Sequence, residues 1–219
     1  MPITPTTASD PMATERAPSE GLYLASQSPR RQQLLGDWGV AFTVLAPDPD
    51  EDVEALEQAL PGEAPARYVR RVTQLKLRAA LLRVQRRGLP SRPVLCADTT
   101  VALGRDILGK PETESDARET LGRLSGRSHR VLTAVAVGQG DRLESVVSTS
   151  WVRFADLSPS TIDAYVASGE PFGKAGAYGI QGLAALWISH LSGSYSGVMG
   201  LPAFETAQLV KRCGISTRI

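Results

Sequence analysis

The chain has 219 residues, of which 42% are hydrophobic, so it can bury a core for one large domain or two small lobes. Its formal charge of +1 argues against a general polyanion binder, and its two cysteines and two histidines exclude a Cys/His zinc cluster and a disulfide framework. No apolar run reaches the roughly 18 residues that span a membrane, so we expect a soluble, cytoplasmic protein without nucleic-acid or membrane partners.

Residues 1–20 are rich in Pro, Ser and Thr and lack hydrophobic periodicity. Such a composition cannot bury enough apolar surface to fold, so we expect a disordered N-terminal tail. Residues 21–219 contain no internal repeat or linker and are expected to form one domain.

The first motif joins a short strand, residues 22–25, to a helix. Ser28 is a good N-cap residue and Pro29 suits the first helical position. Arg30 and Arg31 then lie in the first turn, where cations oppose the helix dipole. A bound anion such as phosphate would compensate them, although this segment alone fits a solvated charged turn equally well.

Four acids in six residues follow a second predicted strand, residues 40–45, and include Asp50 and Glu51. Carboxylates packed this closely favour either a divalent metal site or a solvated acidic loop. A basic helix is then predicted over residues 63–87, with Val69, Val72, Ala79 and Leu82 as its buried stripe. Lys76 lies close to that stripe, so its ammonium group can reach an interior cleft.

Residues 94–97 predict a short apolar strand that ends at Asp98. An acid directly after such a strand is typical of α/β ligand sites, although it is also a frequent turn cap. Gly104 to Lys110 matches the spacing of a P-loop, but Pro111 replaces the Mg²⁺-binding hydroxyl, so we reject a P-loop NTPase.

The second half begins with a helix over residues 115–124 and a β-hairpin over residues 130–137 and 143–154. A structural role is expected for His129 at the hairpin entrance. A glycine-rich loop, residues 169–182, follows a further helix, and its backbone can approach a ligand closely. A strand over residues 184–191 and a final helix ending near Cys213 complete the prediction.

Five ordered segments resemble the Maf family of nucleotide pyrophosphatases. They are S-x-S-P-R-R at 26–31, Asp50-Glu51, Ala97-Asp98-Thr99, Lys110-Pro111, and the pair KAGAYGIQG and GSYSGVMGLP near the C-terminus. Thr100 and Gly197 depart from the family pattern. The resemblance implies an α/β fold of the Maf/ITPase-like type, with a mixed twisted sheet flanked by helices and two lobes around a cleft.

The resemblance also implies an enzyme that cleaves a nucleoside triphosphate into a monophosphate and pyrophosphate. Asp98 would be the catalytic general base, and Glu51, with Asp98, would hold Mg²⁺ or Mn²⁺. The substrate-binding residues would be Ser26, Arg30, Arg31, Lys76, Thr99, Lys110 and Gln181.

Three of these positions separate two subgroups of the family. Arg31, Thr99 and Gln181 are of the kind associated with dTTP and UTP, rather than with a cationic methylated guanine. The alternatives are a 7-methyl-GTP pyrophosphatase and a non-catalytic nucleotide-binding regulator of cell division. Removal of non-canonical nucleotides is compatible with the sequence, as is a homodimer.

Overall fold

The computed structural model describes residues 21–218, apart from the side chain of Glu54. The predicted tail, residues 1–20, lies outside the described residues. The described part forms a seven-stranded mixed sheet with helices packed on it, which confirms the predicted α/β fold. None of the helices in this described part combines the length and the hydrophobicity of a membrane-spanning segment.

The sheet has the strand order β2-β1-β3-β5-β6-β7, with β4 paired to β3. The strands are β1 (Leu22–Leu24), β2 (Phe42–Val44), β3 (Val94–Leu103), β4 (Asp106–Leu108), β5 (Ser128–Gln139), β6 (Arg142–Phe154) and β7 (Ile188–Ser192). The α-helices are α1 (Pro29–Asp37), α2 (Pro65–Arg86), α3 (Glu114–Leu124), α4 (Pro159–Ala167), α5 (Tyr195–Met199) and α6 (Ala203–Arg212). Short 3₁₀ helices cover Glu54–Glu57, Ala175–Ala177 and Leu183–Trp187.

Alternate residues of β3 pack on opposite faces of the sheet. Val94 and Cys96 share a core cluster with Leu77 of α2. Leu95 shares another cluster with Leu209 of α6. Because side chains along a strand alternate with a period of two, consecutive residues of β3 reach two different layers of the protein.

The central strand β3 has an open stretch along one edge. The parallel strand β1 pairs with it only at Val94 and Leu95, and β4 pairs with it only from Val101 onwards. Its other edge is paired with β5 from Val94 to Ala102. Because β1 and β4 must share the remaining edge, residues 96–100 face a gap between them, and a cleft opens there.

A second lobe lies beyond this gap. Its core contains Leu121 of α3, Tyr165 of α4, Leu108 of β4 and Phe154 at the end of β6. The first lobe is built on β1, β2 and the helices α1, α2 and α6. The predicted arrangement of two lobes around a cleft is therefore confirmed.

Three local predictions were wrong. The strand predicted over residues 94–97 continues to Leu103, because the backbone of Asp98 pairs with β5 whatever the polarity of its side chain. The strand predicted over residues 184–191 begins with a 3₁₀ helix that buries Ala184 and exposes Leu186. Leu82 is 58% exposed, because the buried stripe of α2 turns away from it.

Candidate active site

The cleft between the lobes has a volume of about 370 Å³, which is within the range of small-molecule sites. It is lined by Asp98 and by every residue that the sequence analysis assigned to substrate binding: Ser26, Arg30, Arg31, Lys76, Thr99, Lys110 and Gln181. Glu51 does not line it. The fold thus gathers eight of the nine predicted site residues at one place.

Four charged side chains form a continuous chain on the α2 side of the cleft. The Lys76 ammonium group donates to Asp98 Oδ1 at 2.6 Å and to Glu57 Oε1 at 2.6 Å. Lys110 Nζ donates to the other oxygen of Glu57 at 2.9 Å. Burial alone would lower the pKa of Lys76, but the charges of Asp98 and Glu57 outweigh burial and raise that pKa above its usual value.

Glu57 is the functional candidate that sequence analysis missed. It ends a 3₁₀ helix that is fastened to α2, where Tyr68 Oη donates to the Glu57 carbonyl at 2.8 Å. Arg71 of α2 holds the following residues through Gln58 O and the Glu63 carboxylate. Burial acts to raise the pKa of Glu57, but the charges of Lys76 and Lys110 hold it below its usual value. Its only signal in the sequence is its position five residues after the acidic run that ends at Asp52.

Glu51 lies farther along α2, in an ion-pair cluster of its own. Arg83 Nε donates to the two Glu51 oxygens at 3.1 and 3.2 Å, and Arg86 also pairs with this carboxylate. These hydrogen bonds, and the charges of both arginines, lower the pKa of Glu51. Two guanidinium groups therefore occupy the surroundings of the residue that was predicted to bind a metal, and its metal role stays a prediction.

The turn between β1 and α1 places Arg31 in the opposite half of the cleft. Arg31 Nε donates to the Gly200 carbonyl at 2.8 Å, and its two terminal nitrogens donate to Ser26 Oγ at 3.1 Å and Thr99 Oγ1 at 3.3 Å. Ser28 occupies the N-cap position, but its hydroxyl makes no capping hydrogen bond. The hydroxyl of Ser26 instead accepts from the Ser28 amide at 3.3 Å.

A chain of hydroxyl groups fixes the direction of the Thr99 proton. Thr133 Oγ1 donates to the Gly197 carbonyl at 2.7 Å and lies 3.0 Å from Thr99 Oγ1. Because a hydroxyl carries a single proton, Thr133 must accept the one from Thr99. Thr99 in turn accepts from Arg31. The side-chain orientation of Arg31 is therefore determined by β3, β5 and α5 together.

The glycine-rich loop closes the cleft from the second lobe. A Cβ at Gly176 would lie 2.8 Å from the side chain of Val101, so only glycine allows this approach to β3. Ala177 has a positive φ of 60°, which is rare for alanine and turns the chain toward Tyr178. The carboxylate of Glu170 secures the end of the loop by accepting from the Leu183 amide at 3.0 Å.

Cys96 and His129 have structural rather than chemical roles. Burial raises the pKa of the Cys96 thiol to about 12, so it is not a thiolate nucleophile at neutral pH. His129 Nε2 lies 2.8 Å from Tyr178 Oη, and burial lowers the pKa of the imidazole to about 4. His129 is therefore neutral and supports the loop through Tyr178.

The donor set in the cleft fits a Mg²⁺ or Mn²⁺ ion shared with phosphates. Asp98 and Glu57 both contact the Lys76 ammonium group, so their carboxylates face the same part of the cleft. Within residues 21–218 no group of three or more His, Cys, Asp or Glu side chains forms a closed metal site. Mg²⁺ is usually held by one or two carboxylates together with substrate phosphates, which agrees with this pair.

Comparison with known proteins points to one family. The family model described as Maf-like protein matches residues 21–213. The dTTP/UTP pyrophosphatase of Albidiferax ferrireducens is 63% identical over 196 residues, covering 90% of this chain and 98% of the relative. That of Ralstonia nicotianae is 57% identical over 206 residues, covering 94% of this chain and 100% of the relative. The solved structure of the Staphylococcus aureus Ham1 protein aligns with a TM-score of 0.42 at 15% identity, covering 62% of this chain and 72% of that one.

Proposed function

The chain belongs to the Maf-like protein family, and we propose that it hydrolyses dTTP and UTP to the nucleoside monophosphate and pyrophosphate. Relatives with 63% and 57% identity over nearly their whole lengths carry the name dTTP/UTP pyrophosphatase. The observation that carries the proposal is the cleft itself, which the carboxylates of Asp98 and Glu57 line together with four of the predicted cations, Arg30, Arg31, Lys76 and Lys110.

These charges suit attack on a phosphoric anhydride. Asp98 accepts a proton from water, the water oxygen bonds to the α-phosphorus, and the bond from that phosphorus to the bridging oxygen breaks. Pyrophosphate leaves with the electron pair of that bond. Phosphoryl transfer depends mainly on positioning and charge stabilisation, and the lysines and arginines of the cleft supply both.

A divalent cation is part of the proposal. Asp98 and Glu57 would hold it, and the bound ion would neutralise charge on the phosphates. Glu57 now joins Lys76 to Lys110 by hydrogen bonds at 2.6 and 2.9 Å. Phosphate oxygens can replace that carboxylate on both lysines, which frees Glu57 for the cation. The lysines therefore stay charge-paired whether or not the substrate is bound.

The preference for thymine and uracil rests on the other half of the cleft. The Thr99 hydroxyl accepts from Arg31 and donates to Thr133. It therefore holds Arg31 in place and has little remaining capacity to hydrogen-bond a base. Gln181 is exposed at the cleft, and its amide offers both a donor and an acceptor to the O4 and N3–H edge. A base bound over this amide would bury it, and a base without the matching donor and acceptor would leave it unpaired, which discriminates against that base.

Product analysis tests the proposal. Purified protein is incubated with Mg²⁺ and, separately, with dTTP, UTP, dATP, dGTP and 7-methyl-GTP, and both products are identified by chromatography. We expect monophosphate and pyrophosphate, with kcat/KM highest for dTTP and UTP and activity abolished by chelator. Initial release of orthophosphate would refute cleavage at the α-phosphorus, and highest activity on 7-methyl-GTP would refute the assigned base preference.

A further inference from the structure

Two cations of the cleft approach each other without an acid between them. Lys174 and Arg30 both reach the backbone of Gly179, where a Cβ would lie 3.1 Å from Lys174 Cε and 3.9 Å from Arg30 Nη1. Among the described residues Arg30 has no hydrogen bond or ion pair, and Lys174 donates only to the backbone carbonyl of Glu170. The Glu170 carboxylate is directed away, toward Tyr165 Oη and the Leu183 amide.

This pair differs from the lysines on the α2 side, each of which has a carboxylate partner. Lys76 contacts Asp98 and Glu57, and Lys110 contacts Glu57. Burial, followed by the charge of Arg30, lowers the pKa of Lys174, and the opposing charge of Glu170 does not outweigh them. Two like charges held together in a partly buried place repel each other, and an anion between them would remove that cost.

The position of the pair indicates which anion binds there. Arg30 and Lys174 also line a side groove next to the cleft, together with Phe172, Glu170 and Gln181. Asp98 and Lys76 do not line this groove. In phosphoryl transfer the attacking and leaving oxygens lie roughly in line on opposite sides of the phosphorus. If Asp98 activates the water, the leaving group lies on the side away from Asp98, and among the described residues neither Arg30 nor Lys174 has a hydrogen bond or ion pair with Asp98.

We infer that Lys174, together with Arg30, binds the two phosphates that leave as pyrophosphate. This inference rests on the proposed function, because it assumes cleavage at the α-phosphorus. It makes Lys174 a substrate-binding residue of the glycine-rich loop. The lysines near Asp98 and Glu57 then serve the reacting phosphate, and the Arg30–Lys174 pair serves the leaving group.

Direct binding of inorganic pyrophosphate tests the inference without turnover. Calorimetric titrations in Mg²⁺ buffer compare the wild type with Lys174→Met, using pyrophosphate and, separately, dTMP as ligands. Losing one charge-assisted hydrogen bond should weaken pyrophosphate binding about tenfold. Binding of dTMP should change less than twofold. Lys211→Met, which removes an exposed lysine of α6, is the matched control and should leave both affinities unchanged.

Equal pyrophosphate affinity in the wild type and Lys174→Met would overturn the inference, as would an equal loss for dTMP. Absence of pyrophosphate binding to the wild type would overturn it as well. Lys174→Arg retains the charge and should recover most of the affinity, and Lys174→Gln replaces the methionine variant if that variant unfolds. Failure of the proposed function would appear separately, as wild-type protein that does not hydrolyse dTTP.

Discussion

Replacing Glu51 by glutamine distinguishes a structural from a metal-binding role of this acid. The Arg83 side chain is 4% exposed and the Glu51 side chain is 13% exposed, so the pair is largely removed from water. Removing one partner of a buried ion pair leaves the other charge uncompensated, at a cost of about 3–5 kcal/mol. Glutamine retains one oxygen acceptor for Arg83. We therefore expect Glu51→Gln to lower the free energy of unfolding by about 3 kcal/mol, the lower end of that range.

Urea unfolding followed by circular dichroism measures this cost. With a urea m-value of about 2 kcal/mol/M, the midpoint should fall by about 1.5 M. Glu144→Gln is the matched control, because Glu144 pairs with Arg212 at the surface, where the two side chains are 48% and 60% exposed. An exposed pair contributes at most about 1 kcal/mol, so the control should lie close to the wild type.

The destabilisation caused by Glu51→Gln should depend on pH in a defined direction. Arg83 and Arg86 lower the pKa of Glu51 in the folded protein below its usual value of 4.5. The ion pair therefore contributes fully above about pH 4.5, and its contribution is lost as the pH falls through the lowered pKa. The stability difference between wild type and Glu51→Gln should be constant near pH 7 and shrink in acid. A stable Glu51→Gln protein with weakened Mg²⁺ activation would refute this reasoning and support a metal-binding Glu51.

Four further outcomes are expected. Glu57→Gln should raise the Mg²⁺ concentration for half-maximal activity about tenfold, measured by metal titration, because the proposed ligand loses its charge. An unchanged value would argue for other ligands. Asp98→Asn should lower kcat by roughly 10²–10⁴-fold in steady-state assays, whereas Asp163→Asn, at an exposed site on α4, should not. Thr133→Val should lower the free energy of unfolding by about 2 kcal/mol in urea titrations, because the Gly197 carbonyl and the Thr99 hydroxyl lose their partner. Gln181→Glu should narrow the kcat/KM preference for dTTP over dGTP, and an undiminished preference would place base recognition elsewhere.

Local sequence was sufficient for the parts of the candidate site that belong to regular elements. Pro29 begins α1 as predicted, which brings Arg30 and Arg31 to the helix N-terminus. Lys76 follows Val69 by two helical turns on α2, and that spacing predicted its reach into the interior. Asp98 was identified by its apolar strand, although that strand continues through it rather than ending there.

Only the tertiary structure distinguished Glu51 from Glu57. Both acids belong to one largely irregular segment, which has no period to show which way a side chain points. That segment runs along α2, where Arg83 and Lys76 lie two helical turns apart on one side of the helix. Glu51 meets Arg83, and Glu57 meets Lys76 at the cleft. Which of the two acids reaches the cleft depends on the contacts that Tyr68 and Arg71 make with this segment. Local sequence does not encode such contacts between separate parts of the chain.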